Sequence, residues 1–132
     1  MKRITALAAL AFAAATAFAA PAKQTLPSGV TVEHIKQGTG AAPTAASTVV
    51  VNYRGTLNDG TVFDSSYKRG VPATFPLNRV IPCWTEGMQL IKVGGKAKLT
   101  CPSATAYGAR GIPGVIEPNT PLNFEVEVLA IQ

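Results

Sequence analysis

At 132 residues the chain is long enough for one domain with a single core. Its 12 basic and 7 acidic residues fall to 10 and 7, a balance of +3, once the N-terminal leader is set aside. That charge is too mild and too dispersed for a nucleic-acid surface, and one histidine with two distant cysteines matches no zinc spacing.

In chain order, Lys2 and Arg3 form a positive start. Ile4 to Phe18 is uncharged and rich in alanine, and Ala17-Phe18-Ala19 is a small-x-small cleavage signal. Residues 1–19 therefore read as a secretory signal peptide with a mature start at Ala20. The run is short for a membrane span and no lipid-acceptor cysteine follows it, since the first cysteine is Cys83. An exported, periplasmic protein without stable membrane insertion is expected.

Residues 20–28 read as an extended arm, and the domain as 29–132. Val30 to Gln37 alternates as a strand. Thr48 to Leu57 is the clearest strand, with Val49, Val51 and Tyr53 on one face and Asn52 and Arg54 on the other. Asn58-Asp59-Gly60 marks a hairpin turn, and Thr61 to Asp64 returns as a short strand. Ser65 to Val71 reads as a polar bulge or loop. Pro72 to Leu77 reads as an edge strand because of its two prolines. A helix is expected from about Pro82 to Lys92. Pro82 suits its first turn, Trp84, Met88 and Ile91 share one face, and Gly94-Gly95 stops it. Lys96 to Cys101 turns Ala97, Leu99 and Cys101 inward. Lys92, Lys96 and Lys98 then belong to a solvated face. Pro102 to Pro121 is a loop long enough to suggest function. Leu122 to Ile131 closes the chain, with Phe124, Val126 and Val128 inward. Four or five strands and one helix predict an α+β fold, an antiparallel sheet packed on one short α-helix.

The chemistry available is apolar. His34 stands alone on a strand, Ser65-Ser66 has no histidine nearby, and Gly94-Gly95 is a turn rather than a phosphate loop. Neither a cofactor nor a metal is implied. What remains is aromatic: Tyr53, Phe63, Phe75, Tyr107, Phe124 and Trp84, the chain's one tryptophan, with Val80 and Ile81 beside them. A tyrosine-bearing Gly/Pro loop, Ala106 to Gly114, adds to the impression of an aromatic pocket rather than an ionic active site.

From about Gly29 to Gln132 the chain resembles FKBP-type peptidyl-prolyl cis-trans isomerases. The matching segments are Val51-Asn52-Tyr53-Arg54-Gly55-Thr56-Leu57, Asp59-Gly60-Thr61-Val62-Phe63-Asp64-Ser65-Ser66, Val80-Ile81-Pro82-Cys83-Trp84-Thr85-Glu86-Gly87, Gly94-Gly95-Lys96-Ala97-Lys98-Leu99, Ala106-Tyr107-Gly108-Ala109 and Leu122-Asn123-Phe124-Glu125-Val126-Glu127. The third is similar to the bacterial exported branch. The resemblance implies a curled antiparallel sheet wrapped around one short helix, and catalysis of X–Pro rotation in exported proteins. It implies Trp84 as pocket floor, Phe63, Phe75, Val80 and Phe124 as walls and rim with Tyr53, and Ile112 and Val115 from the loop over the site. It further implies the Ile81 N–H and the Tyr107 hydroxyl as donors to peptide carbonyls, and Asp64 as the pocket carboxylate, held by Arg69 and the Tyr53 hydroxyl. Proline-containing polypeptides are the implied substrates and macrolides of the rapamycin type the implied inhibitors. Ala73 departs from the family, standing where many members carry a bulky aromatic, which opens one wall toward bulky ligands. Because no N-terminal helical region precedes the domain, a monomer is expected.

Two readings stay open. Cys83 and Cys101, the only cysteines, are a disulfide candidate in an oxidising compartment, since the helix and the following strand give arms of comparable length. The alternative is two small buried thiols filling the core. Likewise the pocket suits either an active isomerase or a module that only grips apolar peptides.

Overall fold

The computed structural model describes residues 22–132, so the leader 1–19 and the start at Ala20 lie outside the described residues. Seven strands form one antiparallel sheet: β1 (Lys23–Thr25), β2 (Thr31–Lys36), β3 (Thr48–Thr56), β4 (Val62–Ser65), β5 (Ala73–Pro76), β6 (Lys96–Cys101) and β7 (Leu122–Ile131). The spatial order is β1-β2-β6-β7-β3-β4, with β5 on the same side of β3 as β4. The short helix α1 (Ser66–Arg69) leaves β4, and α2 (Pro82–Gly87) crosses the concave face.

Alternation decides which face is buried. Val49, Val51 and Tyr53 of β3, Ala97, Leu99 and Cys101 of β6, and Leu122, Phe124, Val126 and Val128 of β7 all point into one core. The opposite face carries charges that alternate in sign across five strands. Lys23 faces Glu33, Glu33 faces Lys98, Lys98 faces Glu125 and Glu125 faces Arg54. Lys96 adds a diagonal ion pair to Glu125 at 3.2 Å. Opposite charges placed across strands favour this pairing modestly.

The sheet edge beside β3 is divided. β5 pairs with Thr48 to Val51, and β4 with Arg54 to Thr56. The Tyr53 N–H falls between the two and would lack a ladder partner. Ser66, fully buried, accepts it on Oγ at 2.8 Å and donates to Asn52 Oδ1 at 3.0 Å. One hydroxyl thus completes a strand edge that no backbone reaches.

Several elements differ from the sequence expectation. The sheet has seven strands rather than four or five: all six segments read as strands pair into it, and part of the arm, Lys23–Thr25, adds a seventh along β2. The supposed loop after Ser65 is helical. Ser65 caps it by accepting the Lys68 N–H at 3.2 Å, and Gly70 closes it in the left-handed region at φ 76°. The main helix stops at Gly87 instead of running to Lys92, and a 3-10 turn, Met88–Leu90, continues it. Trp84, Met88 and Ile91 still share one buried face, because residues three apart eclipse in a 3-10 turn. Gly87 suits the close packing here: a Cβ on it would lie 2.9 Å from a Leu99 methyl and would press on that side chain where α2 settles against β6.

Cys83 in α2 and Cys101 at the end of β6 are joined by a disulfide, with Cα atoms 5.6 Å apart. Both are fully buried. The bridge ties the start of the helix to the sheet one residue before Trp84.

Candidate active site

The two segments that carry the site are fixed from behind. Leu77 is fully buried, donates its N–H to the Ser47 carbonyl at 2.9 Å, and has its own carbonyl taken by Thr85 Oγ1 at 2.5 Å. The chain then rises through Val80 and Ile81 into α2. Pro82 at the first position needs no acceptor, and the Ile81 carbonyl takes the N–H groups of Trp84 and Thr85 at 2.9 and 3.2 Å. The Ile81 N–H itself has no acceptor among the described residues.

Trp84, 4% exposed, forms the floor of a cavity of about 420 Å³, a size suited to a small ligand group. Tyr53, Phe75 and Phe124 each meet the indole edge-to-face, with centroids 5.1, 5.1 and 5.2 Å away. Phe63 stands edge-on to Phe124 at 5.6 Å. Such pairs add specific geometry to apolar burial. The buried indole N–H has no hydrogen-bond acceptor among the described residues, in keeping with a wall built of rings.

At one side of the cavity three polar groups form a closed set. The Tyr53 hydroxyl donates to Asp64 Oδ2 at 2.5 Å, Arg69 donates to Asp64 Oδ1 at 2.6 Å, and a second Arg69 nitrogen donates to the Tyr53 oxygen at 3.0 Å. Burial pushes the Asp64 carboxyl upward, but the Tyr53 and Arg69 hydrogen bonds together outweigh it and leave its pKa below the usual carboxylate value. Burial, then the bond to Asp64, raises the Tyr53 hydroxyl above its ordinary value. Burial, followed by the Asp64 charge, does the same for Tyr107, which keeps that hydroxyl a donor.

Nine residues expected at the site line this one cavity: Tyr53, Phe63, Asp64, Phe75, Val80, Ile81, Trp84, Tyr107 and Phe124. Ile112 and Val115 do not. Ile112 packs against the core and its N–H bonds to the Ile116 carbonyl at 2.7 Å, which folds the loop back on itself. Val115, 52% exposed, faces a separate surface hollow with Arg110 and Pro118. A spacing argument places residues along a loop but not the direction in which the loop folds. Arg79 also lines the cavity and was missed; its position just before Val80-Ile81 was the available signal. His34 bonds to Gln24 Oε1 on the sheet at 3.0 Å and takes no part.

A floor of indole, walls of rings, one carboxylate paired with Arg69 and no nucleophile among the lining residues define the class of site, an apolar hollow shaped for a ring. Comparison agrees with that class. Residues 40–129 match the family described as FKBP-type peptidyl-prolyl cis-trans isomerase. The FKBP-type isomerase FkpA of Aeromonas hydrophila is 57% identical over 105 residues, covering 80% of this chain and 39% of that protein. Outer membrane protein MIP of Legionella longbeachae is 47% identical over 107 residues, covering 81% of this chain and 46% of that one. The crystal structure of FkpA from Escherichia coli superposes with a TM-score of 0.81 at 45% identity, over 95% of this chain and 59% of that one. The chain belongs to the FKBP-type peptidyl-prolyl cis-trans isomerase family. It spans about 40% of the length of the first of these relatives.

Gly55 lies behind two of the walls. A Cβ there would stand 2.5 Å from Phe63 Cζ and 2.9 Å from Phe124 Cε1. Gly55→Ala is expected to displace both rings and to cost about 1–3 kcal/mol, as overpacking does. Urea unfolding measures the cost, and shifted Phe63 and Phe124 ring resonances locate it. An unchanged midpoint and spectrum would refute this account of the wall.

Proposed function

We propose that this chain is a prolyl cis-trans isomerase that rotates X–Pro bonds in exported polypeptides and so assists their folding. The observation that carries the reading is the ring-lined cavity over Trp84 with Asp64 at its side. Uncatalysed rotation crosses a barrier of about 18–20 kcal/mol because twisting breaks amide resonance. No covalent bond is cleaved, so no nucleophile is needed.

The prolyl ring rests on Trp84 between Tyr53, Phe75 and Phe124. The Ile81 N–H and Tyr107 hydroxyl hold carbonyls flanking the twisting bond, which fixes the peptide in a bent path. In the twisted amide nitrogen no longer feeds electrons to the carbonyl. The oxygen becomes less negative and the carbon more electron-poor. A dry apolar cavity suits that less dipolar group, and the Asp64 carboxylate favours the electron-poor carbon. Both effects act on the transition state more than on the planar ground state.

Export rests on the leader residues and on kinship with a protein named as an outer membrane protein. Among the described residues no helix is long and apolar enough to cross a membrane. N-terminal sequencing of protein from the exported fraction should begin at Ala20.

An X–Pro peptide assay decides between catalysis and mere grip: turnover supports the first, while binding without turnover supports the second. A rapamycin-type macrolide should inhibit turnover and quench the single tryptophan, with Ala73 shaping its affinity.

The pH profile gives a further expected result. At the cavity Asp64 is held below its ordinary carboxylate value and the Tyr53 and Tyr107 hydroxyls above theirs, so kcat/KM should stay flat from neutral to mildly alkaline pH. Asp64 is depressed in the folded state, so its contribution to stability is full above its unfolded pKa of about 3.9 and fades as pH falls through the lower folded value. Activity should fall over that same acid range. Asp64→Asn should lower kcat/KM on the order of tenfold and Tyr107→Phe by less, since only one donor is lost. A profile that bends near neutrality would overturn the mechanism.

A further inference from the structure

Resting on the reading of the cavity as a prolyl-peptide site, we propose that Arg79 sets its side-chain preference, favouring substrates with a carboxylate next to the proline. Arg79 lines the cavity with Val80, Ile81 and Trp84, and it is exposed. The other charged side chain lining the cavity, Asp64, has its own counter-ion in Arg69. Among the described residues the ion pairs are Arg69–Asp64 and Lys96–Glu125, and Arg79 belongs to neither. Its guanidinium has no hydrogen-bond partner there either. The rim therefore offers one cation with no counter-ion of its own.

Its place is fixed. Arg79 ends a 3-10 turn, Leu77–Arg79, that begins at the buried and doubly bonded Leu77. Two residues later comes the Ile81 N–H, the donor with no protein acceptor. Two residues of extended chain span about 7 Å, so a peptide held at Ile81 beside its proline brings neighbouring side chains within reach of the guanidinium. An exposed charge pair of this kind is weak and screened by salt. It discriminates among substrates and guides encounter without carrying the chemistry.

The test uses the peptides Ala-Xaa-Pro-Phe and Ala-Ala-Pro-Xaa with Xaa as Glu, Ala or Lys. At low salt, kcat/KM should favour Glu over Lys by about fivefold at one of the two positions, and the ratio should shrink in about 0.5 M salt. Arg79→Gln should erase the ratio and Arg79→Glu should invert it. Binding of the same peptides, followed by Trp84 fluorescence, reads the charge order without turnover. Absence of turnover on Ala-Ala-Pro-Phe would therefore defeat the isomerase reading separately. Equal binding of Glu and Lys peptides, or a preference that survives Arg79→Glu unchanged, overturns the role of Arg79.

Discussion

Replacing Trp84 with alanine is expected to lower the unfolding free energy by about 3–5 kcal/mol and to abolish turnover. Truncation removes the cavity floor and leaves Tyr53, Phe75 and Phe124 each without its edge-to-face partner. Domains of this size have only about 5–15 kcal/mol in hand, so the loss takes a large share of the total. Trp84→Phe separates packing from chemistry. It keeps an apolar ring on the floor, so most of the stability should return while turnover stays reduced, because the smaller ring supports the prolyl group less well. Urea unfolding and the X–Pro assay on both variants read the two effects. Full turnover in Trp84→Ala would remove the indole from the mechanism.

Loss of the Cys83–Cys101 bridge should be nearly as costly. The two cysteines are 18 residues apart, and opening a loop of that size releases about 3 kcal/mol of unfolded-state entropy in the chain-entropy account. At about 4–8 °C per kcal/mol for a small domain, Tm should fall by roughly 12–24 °C. Because both sulfurs are fully buried, reductant should act slowly on the folded protein and quickly once it is unfolded. Melts before and after reduction in denaturant measure the effect. Two free thiols in the unreduced, unfolded protein would remove its basis. The bridge holds the helix start, so reduction should also lower kcat/KM by loosening Trp84 and Ile81.

The sequence made the strands legible wherever one face is buried and the other wet. Val49, Val51 and Tyr53, and likewise Leu122 to Val128, alternate cleanly because burial enforces a period of two. The disulfide was visible only as one of two options, since pairing depends on where two elements meet. The short pieces were not legible. A four-residue helix at Ser66–Arg69 is too brief to show a period, and its cap, Ser65, is also an ordinary loop residue. The passage from α-helix to 3-10 turn at Met88 left no mark, because the same face is buried in both geometries. The cavity residues on strands and at the helix start could be named from the family's motifs. Val115 and Ile112 could not be aimed correctly, because the Pro102 to Pro121 loop folds by a local hydrogen bond between Ile112 and Ile116. Ser66 escaped notice for a similar reason: its task at the divided edge of β3 exists only once three strands are in place.

That division has one more outcome. The long strands, β3 with nine residues and β7 with ten, are flanked on both sides, while the outermost strands β1, β4 and β5 have three, four and four. β5 ends in Pro76, which has no N–H to offer. Short margins, one of them blunted by proline, give an incoming chain little template for adding a strand and seeding an aggregate. In the role proposed, this chain would work among unfolded polypeptides whose backbones are unpaired. It could then receive them through a ring-lined hollow while its own sheet declines to be extended.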